Sequence, residues 1–189
     1  MKKIIFLILL FTTIFNVLKS REHSFCTAFT AGYVFKHDEE FKEIYGPGIA
    51  NLITVDACYF PFEKWSKWGV GTKVSYWKTH GKTTFLKQRT TLQEIPLTFY
   101  IRRIEDLSCS LQMYASLGGG LIWIKEKSYL GNRKIHKGIG EAEIGLNYSI
   151  YKCLNFTTAI RYLFPAQSIC DQKMDVGGLD LRLGIGFSF

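Results

Sequence analysis

The sequence has little that would build a helical or metal-centred protein. Its 189 residues hold three Met and four His, and the histidines are scattered. No two of the five cysteines (Cys26, Cys58, Cys109, Cys153, Cys170) are spaced as a metal knuckle, so no zinc site is expected. Apolar residues at the helical period are hard to find, and no segment reads as the long helix of a strand–helix–strand crossover. After residue 20 no stretch is long and apolar enough to be a membrane helix. The glycines at Gly118 and Gly120 precede no helix and so form no nucleotide loop. Ser128, His80 and His136 could serve a hydrolytic site, but no spacing marks a nucleophile and its base. Neither an enzyme nor a bound cofactor is expected.

What is present is apolar, aromatic and basic. Hydrophobic residues make up 47% of the chain and aromatics 15%, and the net charge is +8. That charge suits a polyanionic partner such as acidic headgroups or nucleic acid, without choosing between them. The opening "MKKIIFLILLFTTIFNVLKS" has two lysines, a short apolar run and a small terminal residue, the layout of a secretory signal. Residues 1–20 are therefore expected to be removed, leaving one domain over 21–189. Export permits disulfides, and an odd number of cysteines leaves at least one thiol free or paired with another chain.

Two-residue alternation recurs along the rest of the chain. Eight runs stand out, at 25–35, 49–59, 68–77, 94–102, 111–123, 142–150, 154–164 and 179–189. Each is close to the roughly 9–11 residues a tilted strand needs to cross a bilayer. The connections alternate: longer at 36–48, 78–93, 124–141 and 165–178, shorter at 60–67, 103–110 and 151–153. This predicts an all-β, eight-stranded antiparallel up-and-down transmembrane barrel.

A barrel can bury either face, and the content of the polar face decides. It carries Gly32, Gly69, Gly71, Gly118, Gly120, Gly145, Gly184 and Gly186, which suits a lumen only just wide enough for side chains. It also carries charges of both signs: Asp56, Lys73, Glu94, Arg102, Glu141, Glu143, Arg161, Asp180 and Arg182. Charges facing lipid at mid-depth would each cost about 2–4 kcal/mol, whereas inside they can neutralise one another. A lumen network of Lys73, Glu94, Glu143, Arg161, Asp180 and Arg182 is expected. Pairing Ile150 with Leu154 across the short turn would put Glu143 opposite Arg161 as an ion pair. The other face carries aliphatic residues flanked by aromatics. Phe25, Tyr59, Trp68, Phe187 and Phe189 sit at one end, and Tyr33, Phe35, Tyr76, Trp123, Tyr162 and Phe164 at the other. Such belts mark the two water interfaces.

The last strand ends Arg182-x-Gly184-x-x-Phe187-x-Phe189, with the aromatic final. This resembles the C-terminal signal by which bacterial outer-membrane barrels are recognised by their insertion machinery, and "EIPLTFYIR" (94–102) resembles a strand of small outer-membrane barrel domains. The chain is similar to the OmpA/OmpX-type family. The resemblance implies an outer membrane of the Gram-negative type, with its lipids, lipopolysaccharide and insertion machinery as partners. It implies no single activity.

Four readings of function follow. The first is a structural or surface-interaction barrel whose basic loops touch lipopolysaccharide phosphates or acidic envelope and host polyanions. Its candidates are Lys78, Lys82, Lys87 and Arg89 in the second long loop. The third long loop adds Lys125, Lys127, Arg133, Lys134 and Lys137. A small-solute channel is the second, although eight strands leave a plugged lumen. A lipid A-modifying enzyme and a soluble carrier barrel complete the set. No nucleic-acid partner is expected of an exported barrel.

Overall fold

A computed structural model of the chain describes residues 24–36, 38–46, 48–61, 67–82, 88–128, 131–151, 153–165 and 177–188. The expected signal segment, Lys87, Cys170 and Phe189 lie outside these described residues. Eight strands are present: β1 (Ser24–Phe35), β2 (Ile49–Phe60), β3 (Trp68–Lys82), β4 (Arg89–Asp106), β5 (Leu111–Ser128), β6 (Gly131–Tyr151), β7 (Leu154–Pro165) and β8 (Gly178–Ser188). Each pairs antiparallel with its neighbours in sequence, and β1 closes on β8 from Cys26↔Ser188 to Phe35↔Leu179. Closure matters because lipid offers no partner to a free strand edge.

The alternation has one physical outcome around the whole wall. Phe29, Val55, Val74, Phe99, Leu117, Ile144, Ile160 and Leu183 are exposed on the outside. Asp56, Lys73, Arg102, Glu141, Glu143, Arg161, Asp180 and Arg182 are buried inside. A protein folded in water would invert this arrangement. Gly71 and Gly145 show how the lumen is packed. Each lies directly opposite a tyrosine, Tyr100 and Tyr114 respectively. A Cβ at Gly71 would stand 2.4 Å from the Tyr100 ring, and one at Gly145 would stand 2.3 Å from the Tyr114 ring. The glycines leave the space that the rings occupy.

Three features depart from the sequence reading. First, the strands outrun the bilayer on the long-loop side. β3 continues to Lys82, β4 begins at Arg89, and the β5–β6 ladder runs to Ser128↔Gly131. The described residues of 78–93 and 124–141 are therefore extended hairpin arms. The aromatic belt marks where the wall leaves lipid, but hydrogen bonding continues because alternation continues beyond it. Likewise β4 extends to Asp106, shrinking its turn to 107–110.

Second, the first long connection contains a helix, α1 (Glu39–Tyr45), closed by the Gly46 amide donating to the Lys42 carbonyl at 2.9 Å. Gly46 has φ 87°, a left-handed conformation that glycine adopts at a helix C-terminus. Seven residues are too few for periodicity to show.

Third, Glu143 does face Arg161 in the β6–β7 register, but Leu154 pairs with Tyr151 and not with Ile150. A bulge between Ser149 and Tyr151 absorbs the extra residue at the turn.

Candidate functional site: a filled lumen and a basic outer wall

The lumen is layered. At mid-height, four cations (Lys73, Arg102, Arg161, Arg182) meet four carboxylates (Asp56, Glu141, Glu143, Asp180), all buried. Glu143 is the hub, accepting from Lys73, Arg102 and Arg182. The Lys73 ammonium also donates to Glu141 at 3.0 Å, and Thr98 donates to the other Glu141 oxygen at 2.8 Å. Arg161 donates to Asp180 at 2.7 Å and to Ser75 at 2.9 Å, and its nearer acid on β6 is Glu141, at 3.5 Å. The ion pair expected between Glu143 and Arg161 is thus replaced by one with Asp180, the direct partner of Arg161 in the β7–β8 register, and by Ser75 across the lumen. Arg161 has a carboxylate directly opposite on each side, Glu143 on β6 and Asp180 on β8, and it pairs with the latter. Arg102 donates to Asp56 at 2.6 Å and stacks over the Tyr114 ring at 4.2 Å. Equal numbers of opposite charges leave the layer neutral.

Above it the lumen is largely apolar. Val34, Leu52, Trp77, Leu92, Ile122, Ile139 and Leu163, one from each of the first seven strands, form a core with Phe41 and Tyr45 of α1. Glu94 belongs to this upper storey and not to the charge layer. It pairs with Lys36 at 3.1 Å, and the Lys36 ammonium stands 4.9 Å over the Trp77 ring. Tyr45 donates to Glu126 at 3.0 Å, and burial pushes its phenol well above the ordinary range. Sequence reasoning missed Lys36 and α1. The inward parity of Gly32 and Val34 carried one step past Phe35 would have placed Lys36 inside.

The outer wall on the long-loop side is basic. In the register, Lys78 pairs with Gln93, His80 with Thr91, and Lys82 with Arg89. Lys125 then pairs with Gln93 on one side and Lys134 on the other, while Lys127 pairs with Thr91 and Asn132. Parity turns all of these outward, because Thr90, Leu92, Glu94, Ile122 and Ile124 between them are buried. The two carboxylates of these arms, Glu94 and Glu126, are on the inward parity. The cationic face begins directly beyond the belt, where Trp123 stacks edge-on against His136 at 6.3 Å. Of the expected loop cations, Lys78, Lys82, Arg89, Lys125, Lys127 and Lys134 thus share one wall. Arg133 and Lys137 are on the axis side, opposite Glu126 and Ile122.

In the terminal motif, Arg182 serves the lumen network, Gly184 lies against the Phe29 carbonyl, and Phe187 faces outward.

A closed wall with apolar exterior and ion-paired interior defines a transmembrane β-barrel of eight strands. No family model matches the sequence, and no curated protein is similar to it. Solved structures share the fold. Ail, the attachment invasion locus protein of Yersinia pestis, in complex with the heparin analogue sucrose octasulfate, is 16% identical with a TM-score of 0.56, covering 88% of this chain and 98% of its own. The outer membrane protein OprG of Pseudomonas aeruginosa is 13% identical with a TM-score of 0.63, covering 88% and 95%. A major outer membrane protein of Thermus thermophilus is 11% identical with a TM-score of 0.60, covering 89% and 100%. The fold is that of the small outer-membrane barrels.

Proposed function

We propose that this protein is an integral outer-membrane barrel with no catalytic role, which holds phosphate- or sulfate-bearing groups against the outer wall of its long-loop end. The observation that carries this reading is the direct opposition of Lys125 and Lys134 on an outward face. Like charges opposite one another destabilise a ladder unless an anion lies between them. Neither lysine makes an ion pair with a described residue, and the arm's carboxylates point the other way. The position, next to the aromatic belt and facing sideways, suits the phosphates of a neighbouring glycolipid headgroup. The sucrose octasulfate bound by Ail is a polyanion of related chemistry. The terminal aromatic motif is the proposed address for the insertion machinery. The layered filling of the lumen argues against a solute channel.

The test is retention of lipid by the full chain in nanodiscs, read by native mass spectrometry. Wild type should keep bisphosphorylated lipid A in preference to phosphatidylcholine, and Lys125→Gln with Lys134→Gln should lose that preference. Equal retention by the variant would overturn the reading. Binding of a soluble sulfated oligosaccharide without lipid A preference would redirect it to external glycans.

A further inference from the structure

At the short-turn end of the lumen, Cys26 on β1 and Cys58 on β2 are direct partners in the antiparallel register. Both point inward. Cys26 donates to the Ser188 hydroxyl on β8 at 3.4 Å, and it packs against the cluster of Cys58, Phe60 and Tyr100. Directly opposed residues of an antiparallel pair have Cα atoms about 4.5–5.5 Å apart, inside the range of about 4.4–6.8 Å that a disulfide spans. The two thiols differ in access. Cys58 is fully buried, whereas Cys26 is half-buried and lines a small polar cavity with Asp56, Arg102, Asn147, Asn155 and Ser188. That cavity sits at the short-turn mouth. Cys109 and Cys153 are exposed in separate turns.

We propose that Cys26 and Cys58 form a redox couple that closes to a cross-strand disulfide by exchange with a small or protein disulfide. The Cys26 thiolate attacks the oxidant's disulfide from the cavity, forming a mixed disulfide and releasing one thiol. The Cys58 thiolate then attacks the Cys26 sulfur and releases the second thiol. Two protons and two electrons pass from the pair to the oxidant, which ends as two thiols. The bond ties the first strand to the second beside the β1–β8 seam. In the cell this step rests on the export reading, since disulfides persist in oxidising compartments. The chemistry itself depends only on the folded barrel.

The experiment uses the reduced full chain, refolded in detergent micelles, with its folded state checked by the mobility of unboiled samples. It is treated with oxidised glutathione, denatured, alkylated and mapped by mass spectrometry. The expected product is a peptide pair joined through Cys26 and Cys58, two hydrogens lighter than the reduced pair, with Cys109, Cys153 and Cys170 unlinked to either. In Cys58→Ser, glutathione should remain on Cys26. In Cys26→Ser, Cys58 should be recovered as a thiol. Alkylation of both Cys26 and Cys58 in the oxidised wild type, or glutathione persisting on its Cys26, would overturn the proposal. Fractionation of cells tests the outer-membrane reading separately.

Discussion

Tyr100 lies directly across the β3–β4 ladder from Gly71, and its ring fills the volume that a side chain at Gly71 would need. The pair fixes the width of the lumen at the level of the charge layer. Gly71→Val is expected to lower stability by about 1–3 kcal/mol through overpacking. Urea titration of the refolded barrel in lipid checks this. Tyr100→Ala in the same chain should recover part of the loss, because the Ala57 carbonyl still lies 2.5 Å from the new Cβ.

Glu143 faces three buried cations, so its neutralisation leaves the layer with an excess of positive charge. Glu143→Gln is expected to cost about 3–5 kcal/mol in the same titration, the scale for breaking a buried ion pair from one side. The double variant Glu143→Gln, Arg182→Gln should be more stable than the single one. Additive losses would show that the layer does not work by neutrality.

The orientation of the wall is testable at Leu183, which faces outward at mid-strand and is 60% exposed. Leu183→Arg should cost about 2–4 kcal/mol in a bilayer, and Phe187→Arg near the interface about 0–1 kcal/mol. Equal costs at the two depths would contradict a bilayer around this wall.

The upper storey predicts electrical silence. Planar bilayers holding the wild-type barrel should show no steady openings. Phe41→Ala with Trp77→Ala should lower stability by about 3–5 kcal/mol per ring without opening a pore, since the charge layer beneath still fills the lumen. Steady wild-type conductance would favour the channel reading.

The basic wall carries an opposite-sign prediction in neutral and anionic surroundings. Lys134→Glu, which gives Lys125 an opposed carboxylate, should stabilise the barrel by about 0.2–1 kcal/mol in zwitterionic micelles. In membranes rich in lipid A it should weaken lipid retention. A loss of stability in both media would remove the anion from the argument.

Much of this architecture was legible because two-residue alternation is a direct consequence of strand geometry. Residues such as Asp56, Arg161 and Arg182 fall on the parity of the glycines, and that parity faces the lumen. The partners were not legible. Arg161 sits between Glu143 on β6 and Asp180 on β8 and pairs with Asp180, while Glu143 is taken by Lys73, Arg102 and Arg182; counting across one turn shows only one of the two neighbours. The limits of the strands were misjudged at Lys78 and Ile124, where aromatic residues signal the edge of lipid and say nothing about the end of pairing. The helix at Glu39–Tyr45 was hidden by its brevity, although Phe41, Ile44 and Tyr45 already share one of its faces.

The apolar core under α1 draws side chains from seven strands, and no partial sheet can offer that surface. The connection after β1 precedes six of those seven strands in the chain, yet its helix packs on a surface that they complete. The seat of that helix is complete only in the closed cylinder, which it corks.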